Sequence, residues 1–284
     1  MPAQSVRCTN CFLVKRPGLT FYSFECLITK SIFGFNHITF KESNNKSMNL
    51  DVLVFAAHPD DAELSMGGTI ARFTAQALKV GVVDLTKAEL STRGNVITRA
   101  KETAAASKVL KLKVRENLGI KDGNISASQD NLKKVASLIR KYQPAVVFAP
   151  YFNDRHPDHI DSSMLIKRAV FSSGLEKFKT VVAGKSQLHY RPKKIFYYMQ
   201  TYIFEPTFIV DISEHFEQKM KSVNEFKSQF HNPSVKKDDT FISKPEFLDY
   251  VKARAEFFGF QIRKKYGEPF YCEENIEYDL SDLL

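Results

Sequence analysis

From Asp51 onward, short apolar runs alternate with longer stretches in which apolar positions recur every three or four residues. "DVLVFAA" (51–57), "VGVVDLT" (80–86) and "PAVVFAP" (144–150) are apolar without alternation, the pattern of strands covered on both faces. Helical stretches separate them. "GGTIARFTAQAL" (67–78) and the alanine-rich "ITRAKETAAASKVL" (97–110) predict two. "QDNLKKVASLIRKYQ" (129–143) predicts an amphipathic third through Leu132, Val135, Leu138 and Ile139. A short strand is expected near "VRENLGI" and a further helix over "HIDSSMLIKRAVFSS" (159–173). Strands alternating with helices of this length predict an α/β fold, a Rossmann-like, doubly wound, mainly parallel sheet flanked by helices. Beyond about residue 190 the rhythm changes: "KKIFYYMQTYIF" and "TFIVDIS" read as strands, followed by helices over roughly 213–229 and 244–265. No internal repeat or low-complexity linker interrupts this, so residues 48–284 read as one domain.

Residues 1–47 are different: rich in aromatic residues, without period or strong helix cap. They read as an N-terminal extension without a catalytic role, poorly ordered; the alternative is a small accessory segment that docks on the body. Of the four cysteines, Cys8, Cys11 and Cys26 lie here, and Cys272 is alone in the body. That usage suits a reducing, cytoplasmic compartment rather than a disulfide framework. Cys8-x-x-Cys11 is half of a zinc ribbon with no second half, which leaves a structural zinc unsupported. No stretch approaches the roughly 18 apolar residues of a membrane helix, and none has the form of a secretory signal.

The formal net charge of +9 is uneven. Residues 1–47 hold six Lys/Arg against two Asp/Glu, which leaves +5 for the body. A modest, interspersed excess is a weak reason to invoke nucleic acid and suits anionic small molecules equally well. The expectation is therefore a small-molecule partner, no nucleic acid, no membrane, and a possible homo-oligomer.

Two clusters carry the chemistry. "FAAHPDDAELSMGG" (55–68) places His58, Asp60 and Asp61 just after the first strand, and "APYFNDRHPDHID" (149–161) places His156, Asp158 and His159 just after another. Open parallel sheets bind ligands beyond the carboxyl ends of their strands, so both clusters belong on one edge of one sheet. Adjacent ionised carboxylates repel, the more so when desolvated. A solvated turn tolerates them, and a bound cation makes them useful; imidazole with carboxylate is the donor set of a divalent metal, Zn2+ or Fe2+. Two clusters together favour the metal. His37, His189, His215 and His231 have no such setting and read as ordinary residues. Gly67 and Gly68 would let the loop turn sharply into its helix, and no G-x-G-x-x-G dinucleotide fingerprint follows the strand.

"AHPDDAELSMGG" with "RHPDH" resembles the PIG-L/LmbE family of zinc-dependent deacetylases, which hydrolyse N-acetylglucosaminyl groups. "DLTKAELSTRGN", "ENLGIKDGN", "VVFAPYFNDRHPDH" and "YGEPF" resemble in particular the branch that deacetylates N-acetylglucosaminyl-L-malate in bacillithiol biosynthesis. The resemblance runs from Met48 to about Phe270. It implies that His58, Asp61 and His159 ligate zinc, that Asp60 is the general base, and that His156 is the acid and electrostatic partner. Three ligands leave a position for water, as a catalytic zinc requires. Asp158 is expected to orient one of the histidines. Malate carries two carboxylates, which arginine grips in bidentate fashion, and Arg99, Arg155 and, less directly, Arg93 are the candidates. Replacing Arg99 is then expected to damage turnover of the malate conjugate more than that of plain N-acetylglucosamine. Tyr266 reads equally as a wall of the sugar pocket or a core residue. The alternatives are a deacetylase of another N-acetylglucosamine conjugate or chito-oligosaccharide and, from a different class, a non-catalytic nucleotide- or nucleic-acid-binding module.

Overall fold

The computed structural model describes residues 48–231 and 240–277, together with a two-residue antiparallel strand pair, Phe12–Leu13 with Phe24–Glu25. The expectations for residues 1–47 as an extension, and for Cys8 and Cys11, otherwise lie outside the described residues.

The apolar runs form the middle of a seven-stranded sheet. In chain order the main elements are β1 (Val52–Ala56), α1 (Asp61–Ala75), β2 (Val80–Asp84), α2 (Val96–Val109), β3 (Val114–Asn117), α3 (Gln129–Tyr142) and β4 (Val146–Pro150). Then come α4 (Pro157–Ser173), β5 (Lys194–Tyr198), β6 (Phe208–Asp211), α5 (Phe216–Val223), α6 (Glu246–Gln261) and β7 (Gly267–Tyr271). The sheet order is β6-β7-β5-β4-β1-β2-β3. The five strands from β5 to β3 run parallel; β7 is antiparallel to both of its neighbours, β5 and the edge strand β6. This is the Rossmann-like, mainly parallel sheet that the sequence predicts.

Alternate residues of β1 serve two cores. Leu53 and Phe55 pack with Leu132, Val135, Leu165 and Ile166 from α3 and α4. Val52, Val54 and Ala56 pack with Met66 and Ile70 of α1 and with Phe270 of β7. A strand buried on both faces needs apolar residues at every position, hence the absence of alternation in the sequence. The chain builds β1, β2 and β3 outward in one direction and then returns to place β4 on the other side of β1. The carboxyl ends of β1 and β4 therefore flank the point where strand order reverses, the place where such sheets bind ligands.

Three differences from the sequence pattern have physical reasons. α1 starts at Asp61, not at Gly67, because the acidic motif forms its first turn. The helix kinks at Met66 (φ −140°, ψ 22°), and the amides of Gly68 and Thr69 beyond the kink donate to the Glu268 carboxylate of β7 at 3.1 and 2.7 Å. Gly67 and Gly68 therefore lie inside a helix and do not lead into it. A Cβ on Gly68 would come within 2.7 Å of Ile212. The helix expected over 213–229 is the shorter α5, and "YGEPF" lies in β7, a strand between β6 and β5 that the apolar pattern did not predict. Among the described residues no helix is long and apolar enough to cross a membrane. Cys272 is buried with a free thiol.

Glu268 also accepts from Lys219 Nζ of α5 at 2.5 Å, and both side chains are fully buried. Removing one member of a buried ion pair strands the other charge. Lys219→Met is expected to destabilise the protein by about 3–5 kcal/mol, read from the urea midpoint. The double variant Lys219→Met/Glu268→Gln should recover more than half of that loss. Two independent, additive losses would contradict the coupling.

Candidate metal centre

His58 and Asp60 close the β1–α1 turn and Asp61 opens α1. Asp60 has φ 122°, a left-handed backbone that costs a non-glycine residue about 1–3 kcal/mol. The turn is held by Asp61 itself, whose Oδ2 accepts from the His58 backbone N–H at 2.8 Å. From beneath, Arg115 of β3 forks onto Asp84 with two contacts of 2.8 Å and reaches Glu63 at 2.6 Å, pinning the first turn of α1 to the sheet. His156 caps α4 by accepting the Asp158 backbone N–H at Nδ1 (3.2 Å), and Pro157 and His159 follow within the first turn.

The two clusters meet across the strand ends. His159 Nε2 lies 3.3 Å from Asp61 Oδ1, and His58 Nδ1 lies 3.5 Å from Asp61 Oδ2. One donor atom from each of His58, Asp61 and His159 falls within 4.8 Å of the others. The rear nitrogens of both imidazoles are occupied by carboxylates. His159 Nδ1 bonds Asp154 at 2.8 Å, while His58 Nε2 bonds Asp122 at 3.0 Å and Asp158 at 3.2 Å. Carboxylate behind imidazole fixes ring orientation and strengthens the forward nitrogen as a ligand. The amide nitrogen of Gln200 reaches between the forward atoms, 2.8 Å from Asp61 Oδ1 and 3.2 Å from His159 Nε2. Two nitrogens and one oxygen, with carboxylates behind both imidazoles, fit a divalent cation. A second grouping, His58 with His156 and Asp158, also lies within range. It fits less well, because His58 Nε2 already serves two carboxylates and His156 Nδ1 takes the Asp158 amide.

Electrostatics agrees with this division. Burial raises the pKa of Asp61, but the imidazoles of His159 and His58 outweigh it and hold the group well below the usual carboxylate range. Burial lowers His159, yet Asp61 and Asp154 carry it up to about 9. Burial likewise lowers His58, and Asp122, Asp158 and Asp61 hold it well above the usual imidazole value. The carboxylates around both imidazoles thus favour positive charge at this point, which a cation would supply. Asp60 is different: burial raises it and the Arg99 charge lowers it, leaving it at about 6. His156 is pushed below the ordinary imidazole value, first by burial and then by the charges of His159 and His58.

The expected arginines separate. Arg99 is buried, and its Nη1 donates to Asp60 Oδ2 at 2.6 Å and to the Pro59 carbonyl at 2.7 Å. Its Nη1 is paired with Asp60 while the residue also lines the cavity, so its grip on a substrate carboxylate stays an expectation. Arg93 is 3% exposed and is absent from the lining of the cavity; its carbonyl accepts from Ser91 and Gln229. Its placing as a substrate contact likewise stays an expectation. Arg155 alone of the three is exposed at the mouth, lying over the Phe241 ring at 4.8 Å. Tyr266 stacks on Phe216 at 3.9 Å in the core.

The centre opens into a cavity of about 360 Å³ whose far wall comes from Phe241, Phe247, Tyr250 and Arg254. The residues missed by sequence reading are Asp122, Asp154, Gln200 and Arg254. Asp154 carried a signal, being five positions before His159 in the same cluster; the others come from distant segments. Arg254 donates to the backbone carbonyls of Gln200 and Leu64 and so ties α6 to both sides of the centre.

The fold and centre define an α/β protein with a candidate His/Asp cation site at the switch point of its sheet. The model of the PIG-L family, described as GlcNAc-PI de-N-acetylase, matches residues 53–170. Diacetylchitobiose deacetylase of Thermococcus kodakarensis is 30% identical over 193 residues, 63% of this chain and 70% of the relative. A conserved protein of Thermus thermophilus superposes with a TM-score of 0.73 at 36% identity, covering 81% of this chain and 97% of that one. N,N'-diacetylchitobiose deacetylase of Pyrococcus horikoshii superposes with a TM-score of 0.66 at 27% identity, over 77% and 82% of the two chains. The chain belongs to the PIG-L family of deacetylases.

Removing the carboxylate behind His159 tests the centre. Asp154→Asn is expected to weaken zinc binding by about 10- to 100-fold, measured by competition with a chromophoric chelator. Unchanged affinity would remove His159 from the ligand set.

Proposed function

We propose that the protein is a cytoplasmic, zinc-dependent N-deacetylase acting on N-acetylglucosaminyl-L-malate, the reaction that serves bacillithiol biosynthesis. The observation that carries the reaction class is the pairing of a cation-binding triad with a separate, buried carboxylate. His58, Asp61 and His159 would hold the zinc, and Asp60 faces the same cavity but is bound to Arg99 instead. Bound zinc would lower the pKa of a water and polarise the acyl oxygen.

The chain's own groups do the rest. Asp60 accepts the proton of the attacking water as its oxygen adds to the amide carbon. Arg99 keeps that carboxylate ionised and aimed. His156 uses Nδ1 as an acceptor for the Asp158 amide, so the neutral ring carries its hydrogen at Nε2 and can donate it to the tetrahedral oxyanion. The carbon–nitrogen bond then breaks with its electron pair left on nitrogen. Asp60 returns the proton to the departing amine, and acetate is the second product. In this sequence His156 stabilises charge, and proton delivery passes to Asp60.

The malate assignment rests on the resemblance and on Arg155, an exposed cation at the cavity mouth. A specific observation supports a second reading, deacetylation of a chito-oligosaccharide. The cavity wall of Phe241, Phe247 and Tyr250 offers sugar faces a place to stack, and the Thermococcus relative is a diacetylchitobiose deacetylase.

Acetate release separates the two. Zinc-loaded protein should release acetate from the malate conjugate, lose this with a chelator and regain it with zinc, and Asp60→Ala should abolish it. Arg155→Ala should lower kcat/KM for the malate conjugate by about 10- to 100-fold, the value of a charge-assisted contact, and leave an uncharged N-acetylglucosamine glycoside unchanged. Arg99→Met should lower kcat on both. Equal loss on both substrates in Arg155→Ala, or preference for diacetylchitobiose, would replace the malate assignment by the second reading.

A further inference from the structure

Gln200 follows β5 on a segment fixed from both sides. The backbone amides of Thr201 and Tyr202 donate to Asp154 Oδ2 at 2.7 and 3.4 Å, and Arg254 donates to the Gln200 carbonyl. The same Asp154 holds His159 Nδ1. One carboxylate therefore positions both the ligand imidazole and the backbone that carries Gln200. From this anchored backbone the side-chain nitrogen enters the triad, within 2.8 Å of Asp61 Oδ1 and 3.2 Å of His159 Nε2. These are the forward atoms that a cation would use. The other end of the amide, Oε1, is buried and has no hydrogen-bond partner among the described residues.

A primary amide has two donors at one end and an acceptor at the other. Its N–H groups suit the Asp61 carboxylate, and its nitrogen fills the space in front of His159 Nε2 that a cation would use. The same nitrogen cannot remain there when a cation arrives. Rotation about the terminal side-chain bond is cheap, since such torsions are broad and two-fold. It would exchange the nitrogen for Oε1, a hard oxygen donor of the kind divalent metals accept. A buried, unpartnered carbonyl oxygen is costly to keep, so it calls for an explanation.

We propose that Gln200 is a fourth protein residue of the metal shell. Its amide nitrogen holds the cation's place in the bare site, and its Oε1 turns to meet the cation, or a water on it, once the site is loaded. This rests on the metal reading of the triad. It makes Gln200 a determinant of metal affinity and coordination, separate from the base Asp60 and from the rim residue Arg155.

The test uses Co(II) as probe, with the full-length protein stripped of metal and titrated while its visible absorption is followed. Affinity is taken from competition with a chelator. Native protein should bind one Co(II), and Asp61→Ala should lose it; failure here would sink the metal reading itself. With that established, Gln200→Leu should weaken Co(II) binding about tenfold or more and alter the absorption envelope. Unchanged affinity and spectrum, or tighter binding, would overturn the assignment, the last by showing that the amide only competes with the metal. Gln200→Glu keeps an oxygen and the side-chain length while discarding the N–H donors. It should bind Co(II) at least as tightly as native protein, and it decides the matter if Gln200→Leu does not fold. A tenfold loss in Gln200→Glu would overturn the proposal.

Discussion

The centre depends on the repulsion between two neighbouring carboxylates that the fold buries together. Asp60 and Asp61 are each 5% exposed at the end of a strand that is itself covered on both faces. Water cannot screen them there, and two charges in such surroundings interact far more strongly than in solution. The structure answers each separately. Asp60 is turned away by a left-handed backbone and given to Arg99. Asp61 remains between two imidazoles, where positive charge from protons or from a cation must gather. The left-handed turn thus divides one pair of acids into a carboxylate held by an arginine and a carboxylate held between two imidazoles.

Much of the surrounding structure maintains that division. Arg115 secures the first turn of α1 to β2 and β3 through Glu63 and Asp84, and Glu268 with Lys219 takes up the amides freed by the kink at Met66. Asp122, Asp154 and Asp158 stand behind the imidazoles and set which nitrogen each presents. A site of this kind requires close placement of a few atoms, and the parallel strands supply it from the rigid middle of the sheet.

The central strands and the two His/Asp clusters could be read from the sequence because each is local. "DVLVFAA" is apolar throughout since β1 is buried on both sides, and the motifs lie within a few residues of strand ends. Other features could not be read this way. The early start of α1 depends on Asp61 hydrogen-bonding back to His58, and its kink on Glu268, two hundred residues away. Arg99 sits in a motif that suggested substrate binding, but its partner Asp60 is 39 residues distant and only the fold brings them to 2.6 Å. Gln200 lies in a stretch without any motif, and its place between Asp61 and His159 follows from the β4–β5 pairing.

The most direct test of the central claim, that His58, Asp61 and His159 converge on one cation, is zinc-edge X-ray absorption on protein loaded with one equivalent of zinc. The account predicts a first shell of nitrogen and oxygen at about 2.0–2.1 Å with outer-shell scattering from two imidazoles, reduced to one imidazole in His159→Ala. A sulfur contribution near about 2.3 Å, or an imidazole signal unchanged by His159→Ala, would contradict it.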